Sequence, residues 1–126
     1  MEIRDQDLKI LEDIFYKTIE RVDPLKQMHN YKIEPPKGKT FFAAVGKGAG
    51  RLSRAFKETF QGESSGIVVI PENECCEDFG YRVFKSSHPL PAEAGIQASK
   101  TLLENVSSLS ENDLFVFMIS GGASSL

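Results

Sequence analysis

Apolar residues recur at helical spacing through residues 5–22, at Leu8, Leu11, Phe15, Ile19 and Val22 with Ile14 beside them. The pattern predicts an amphipathic helix with Asp5 as its N-cap and Pro24 closing it. Residues 28–40, MHNYKIEPPKGKT, carry Pro-Pro and Gly and read as a connector, with His29 a surface residue in it. From residue 41 the pattern changes. FFAAV, residues 41–45, predicts a strand, and Leu52, Ala55, Phe56 and Phe60 form the apolar stripe of a helix from about Gly48 to Phe60. QGESSG breaks that helix. IVVI, residues 67–70, is a continuous run of β-branched residues, the composition of a strand covered on both faces, and Pro71 stops it. PENECCEDFG reads as a loop and Tyr81–Lys85 as a short strand. A helix over 92–108 follows, with Pro91 near its start and Ile96, Leu102, Leu103, Val106 and Leu109 suitably spaced. Finally DLFVFMIS, residues 113–120, reads as a buried strand running straight into GGASSL.

Strands alternating with helices predict an α/β fold. Its sheet should be mainly parallel and flanked by helices, a Rossmann-like three-layer arrangement with right-handed crossovers. No internal repeat, low-complexity tract or second-domain linker interrupts the 126 residues, which amount to one domain. A core strand followed by half a turn at the last residues is the expected look of a cut chain, so residues 1–126 are read as a truncated α/β domain.

Charge narrows the partners. With 18 acidic against 15 basic residues the chain lacks the basic stripe of a nucleic-acid binder. No apolar run approaches a membrane span, and MEIRDQDLKI is too charged for a secretory signal, so a cytoplasmic protein acting on small molecules is expected. The two cysteines, Cys75 and Cys76, are adjacent, which matches neither a metal-ligand spacing nor a disulfide framework. They read as reduced, partly buried thiols with no basic group beside them.

In a parallel sheet, ligands collect outside the carboxyl ends of the strands. Two glycine-rich segments fall there, VGKGAG after the first strand and SGGASS after the last. Glycines let the backbone approach a ligand, a helix N-terminus carries partial positive charge, and Lys47 adds an ammonium, so the first segment reads as an anion site. The alternative is a tight strand-to-helix turn with a solvated lysine. Neither nucleotide fingerprint is present: Lys47 is followed by Gly48 rather than Ser or Thr, and glycines 46, 48 and 50 give G-x-G-x-G, not G-x-G-x-x-G. His88, before Pro89, could bond a substrate oxygen or only fix its loop.

Taken in order, AAVGKGAGRLSRAF, GIVVI, SSHPLPAEAGIQASKTLLE and NDLFVFMISGGASSL resemble the N-terminal part of the glycerate 2-kinase family, whose members often carry a C-terminal MOFRL domain and of which some are labelled hydroxypyruvate reductases. The resemblance implies phosphorylation of D-glycerate at its 2-hydroxyl with ATP and Mg²⁺, by a larger enzyme of two α/β domains with the active site between them, of which residues 1–126 are the N-terminal part of the first α/β domain. It places Lys47 where the family has its functional lysine. Gly46, Gly48, Ser120, Gly121, Gly122, Ser124, Ser125 and His88 fall on the phosphate- or substrate-binding stretches. Ala123 stands where many relatives carry Gly. No residue of this chain is implied as a metal ligand, and the acidic and arginine residues that complete the family's site are expected downstream. By that reading residues 1–126 alone are inactive. A nicotinamide-dependent reductase should show G-x-G-x-x-G with an acidic residue about 20 positions on, and this chain does not; a non-catalytic anion-binding module remains the third alternative.

Overall fold

The computed structural model describes residues 4–126. The described residues form the elements α1 (Asp5–Arg21), α2 (Pro24–Gln27), β1 (Thr40–Val45), α3 (Ala49–Thr59), β2 (Ser65–Pro71), β3 (Arg82–Ser86), α4 (Glu93–Ser107) and β4 (Leu114–Ile119). Short 3-10 turns lie at Met28–Asn30 and Ala123–Ser125. The strands pair in the order β3-β2-β1-β4, and every pair is parallel. The expected α/β architecture is therefore the one observed.

Because side chains alternate across a strand, β1 and β2 send odd and even residues to opposite faces. Phe42, Ala44, Val68 and Ile70 pack with Ala49, Phe56 and Phe60 of the α3 segment. Phe41, Ala43, Ile67 and Val69 pack with Phe84 and with Ala98 of α4. Both layers bury the sheet, which is why IVVI is apolar without alternation. Phe42 is the centre of the first layer, stacked on Phe56 at 4.5 Å between ring centroids and on Tyr81 at 5.0 Å.

Several expectations are corrected. Arg4, extended and without a side-chain cap bond, is the N-cap of α1, so Asp5 is already helical and acts with Asp7 through its charge in the first turn. Pro24 opens α2 behind Asp23, whose carboxylate accepts from Leu25 N–H at 3.1 Å. The apolar stripe of α1 exists but is exposed: Phe15 keeps 60% and Val22 68% of its surface, and no residue of the helix is buried. In α4 the covered face is Gly95, Ala98, Leu102 and Val106, while Ile96 and Leu103 point to solvent. The helix meets the sheet through small residues, so the larger ones flanking that stripe stay outside. Most consequentially, β4 is not a buried strand. It forms the edge of the sheet among the described residues, and Phe117 and Ile119 are 44% and 63% exposed.

One carboxylate fastens β4 to β1 at their starts. Asp113 accepts hydrogen bonds from Lys39 N–H and Ser110 N–H, both at 2.7 Å, and from the Ser110 hydroxyl at 2.9 Å. The backbone N–H of Ser110, then that of Lys39 and the Ser110 hydroxyl, stabilise the carboxylate and hold its pKa below the usual value near 3.8. A depressed folded value means that the unfolded chain binds the proton more readily. The stabilisation is thus fully present above the usual value and is lost as pH falls through the lowered one. Asp113→Asn should lower stability at neutral pH and flatten its decline below pH 4 or thereabouts, as read by chemical unfolding at pH 7 and pH 3. An unchanged acid limb would remove Asp113 from that role.

Candidate functional site

The site lies where four strand ends meet. β1 leads into Gly46, Lys47 and Gly48, which cap α3, while β4 leads into Ser120, Gly121 and Gly122. The two turns are laced together through hydrogen bonds spanning some seventy residues of sequence. Lys47 N–H donates to the Gly121 carbonyl at 2.9 Å, and Gly48 N–H donates to the Ser120 hydroxyl at 2.8 Å. The Ser120 hydroxyl donates in turn to the Val45 carbonyl at 3.3 Å, and Ser120 N–H to the same carbonyl at 2.9 Å. Ser120 therefore gives its only hydroxyl proton to the end of β1 and holds the lysine turn with its oxygen as acceptor.

Gly46 has φ +119°, and a Cβ there would stand 2.3 Å from the Ser120 hydroxyl oxygen and 2.7 Å from its carbonyl oxygen. Only glycine allows both the turn and that approach. Gly122, at φ +86°, brings the loops to the ligand side: a Cβ on it would lie 3.1 Å from His88 Cδ2 and Nε2 and 3.3 Å from Lys47 Cε. Lys47, His88 and Gly122 are thus neighbours, although they come from the ends of β1, β3 and β4. The His88–Pro89 peptide bond is cis.

Lys47 and His88 both line a cavity of about 680 Å³ at this sheet edge, with Glu72, Asn73, Glu74 and Ser87. Sequence reasoning overlooked Glu72 and Glu74. Acidic residues in a loop after a strand carry no periodic signal, and only the strand order brings them to the cavity that Lys47 lines. Glu72 is fixed at its backbone, where its N–H donates to the Ser86 carbonyl at 3.1 Å, and at its side chain, where the Ser87 hydroxyl donates to Oε1 at 3.3 Å. Ser124 and Ser125 lie elsewhere, on a separate cavity of about 320 Å³ against the start of α4. The Ser125 hydroxyl donates to the Gly122 carbonyl at 3.1 Å.

Behind Lys47 a smaller crevice of about 270 Å³ holds Arg51, Arg54, Cys75 and Cys76. Basic groups do therefore stand beside the cysteines, contrary to expectation, and Cys75 is exposed rather than partly buried. The guanidinium groups are already engaged, Arg51 with Asp23 and Arg54 with Glu58 and Glu77. Burial, followed by Glu77 and Asp78, pushes the Cys76 thiol up, away from a reactive thiolate. Among the described residues no group of three or more His, Cys, Asp and Glu side chains converges on a metal position. No helix among them is long and apolar enough to cross a membrane.

Residues 10–126 match the family described as a domain of unknown function, DUF4147. The chain is 32% identical over 122 residues to a D-glycerate 2-kinase of Thermotoga maritima, covering 94% of this chain and 29% of that protein. A protein of Agrobacterium vitis with a provisional hydroxypyruvate reductase label is 30% identical over 119 residues, covering 94% of this chain and 27% of the relative. The crystal structure of the Thermotoga maritima glycerate kinase superposes with a TM-score of 0.80 at 30% identity, again over 94% of this chain and 29% of that one. The chain thus spans about three tenths of the length of the relatives it matches. On that match and on the shared sheet, the chain belongs to the DUF4147 family, the N-terminal domain of glycerate kinases.

Proposed function

We propose that the protein carrying this chain is an ATP-dependent D-glycerate 2-kinase, and that residues 46–48, 88 and 120–122 form one wall of its active site. The observation that carries this reading is the meeting of Lys47, His88 and Gly122 outside the carboxyl ends of three parallel strands, in a family with a relative named for that reaction. In the reaction the substrate's 2-hydroxyl oxygen bonds to the γ-phosphorus of ATP. The bond from that phosphorus to the bridging oxygen breaks, ADP leaves with the electron pair, and the hydroxyl proton is released. Charge spreads over the phosphoryl oxygens, and both substrates are anionic, so a fixed ammonium orients and stabilises them. The turn holding Lys47 is shaped in advance by Ser120 and Gly121, which gives the ammonium a fixed origin.

Mg²⁺ is expected to accompany ATP in such a transfer, yet the described residues do not build a cage for it. This chain's part in the reaction is binding and orientation. The label of the Agrobacterium vitis relative favours a second reading, reduction of hydroxypyruvate by a nicotinamide cofactor. One assay of the intact protein separates the two. ATP and D-glycerate should be consumed with release of 2-phosphoglycerate, while NADH and hydroxypyruvate are left unchanged. The reverse outcome would replace the kinase with the reductase, and consumption of neither pair would leave a binding module. Residues 1–126 by themselves should show no measurable turnover, because the chain supplies a single anion-binding wall; robust phosphorylation by them would refute that division of labour.

A further inference from the structure

The cavity at the strand ends has a charge pattern that discriminates between the two substrates of the proposed reaction. Lys47 is its one side-chain ammonium, and Glu72 and Glu74 place two carboxylates on the same wall, with Asn73, Ser87 and His88 between them. A triphosphate brought here would meet two like-charged groups for every cation. A small hydroxy acid presents a different pattern, one carboxylate at one end and hydroxyl protons along the rest. It can set its carboxylate on Lys47 and donate a hydroxyl hydrogen bond to a glutamate.

Glu72 is built for that contact. Its backbone is tied to the end of β3 through the Ser86 carbonyl at 3.1 Å, and the Ser87 hydroxyl holds Oε1 at 3.3 Å. Among the described residues, Oε2 has no hydrogen-bond partner in the protein. A carboxylate on the cavity wall that engages Ser87 through one oxygen and leaves the other unbonded is an acceptor for a hydroxyl.

We propose that this wall takes the hydroxy acid and not the nucleotide, with the acid's carboxylate on Lys47 and its non-reacting 3-hydroxyl donating to Glu72, which makes Glu72 the residue that selects glycerate over 2-hydroxypropanoate. The inference rests on the kinase reading above and assigns the orientation of that site. A polar group placed to bond a substrate hydroxyl discriminates against the analogue lacking it, because the group is then left unpaired.

Steady-state kinetics of the intact protein and its Glu72→Ala and Glu72→Gln variants test the assignment. Glu72→Ala should raise KM for D-glycerate about tenfold, the scale of one charge-assisted hydrogen bond, and reduce the preference for glycerate over 2-hydroxypropanoate by a similar factor. KM for ATP should stay within about twofold, a small change on the same scale. Glu72→Gln, which keeps an acceptor oxygen without the charge, should fall between. A lowered KM for ATP with glycerate unaffected would turn the wall towards the nucleotide and overturn the proposal, as would kinetics unchanged for both substrates. Calorimetric titration of D-glycerate into the nucleotide-free wild type and Glu72→Ala reads binding independently of turnover. If no hydroxy acid is phosphorylated, the kinase reading fails, and the titration still decides the binding claim: binding weakened about tenfold by the substitution upholds it, while equal or absent binding overturns it.

Discussion

Lys47→Ala in the intact protein should lower kcat/KM for D-glycerate by about 10²-fold or more, the scale of removing one preorganised electrostatic group from a reacting centre. The side chain lines the cavity beside Gly122, and its backbone is held by the Gly121 carbonyl, so the ammonium starts from a fixed turn at the strand ends. A group acting in the transition state should lower kcat as well as raise KM. Lys47→Arg should recover little, because a planar fork does not replace a compact charge where Gly122 leaves so little room that a Cβ on it would stand 3.3 Å from Lys47 Cε. The side chain is exposed, so neither variant should alter unfolding. Near-normal kinetics for the alanine variant would make Lys47 a solvated turn residue and remove the basis of the proposed site.

Phe42→Ala should cost the fold roughly 3–5 kcal/mol, a large share of the ~5–15 kcal/mol by which domains of this size are usually stable. Phe42 is fully buried, and its ring is stacked between Phe56 of α3 and Tyr81 before β3. Deleting it leaves a cavity that two rings and a strand cannot close together. Chemical unfolding should show the loss as a lowered midpoint, whereas Phe42→Leu should retain most of the stability by filling much of the space. A cost under about 1.5 kcal/mol for the alanine variant would mean that the layer repacks and is not a tightly interdigitated core.

The architecture was largely legible because its signals are local. IVVI and FFAAV announce covered strands by composition, and the α3 stripe of Leu52, Ala55, Phe56 and Phe60 is periodic. Errors arose where the outcome depends on a neighbour. LFVFMI has the composition of an inner strand, but among the described residues it pairs on one side only and stands at the edge. Ile96 and Leu103 fit a helical period, yet the sheet accepts the face marked by Gly95 and Ala98. Lys47 and the second glycine-rich loop could be singled out from their positions after strands. The lacing of Gly48 to Ser120 could not, since nothing in either segment encodes a partner 72 positions away. Glu72 was invisible for a related reason, being a carboxylate whose role depends on which strand ends stand beside it.

The same lacing couples the site to one of the two edge strands among the described residues. Among the described residues β4 pairs with β1 alone and keeps Phe117 and Ile119 partly in water, so its detachment exposes less surface than global unfolding. Were it to lift away, Gly48 N–H would lose the Ser120 hydroxyl, Lys47 N–H would lose the Gly121 carbonyl, and the Phe42 layer would lose Leu114, Val116 and Met118 but keep its stacked rings of Phe42, Phe56 and Tyr81. Amide hydrogen exchange should therefore register the Lys47 turn at the rate of β4 opening rather than at the rate of the α3 core, and a ligand resting on Lys47 would slow both amides by holding an edge strand it never touches.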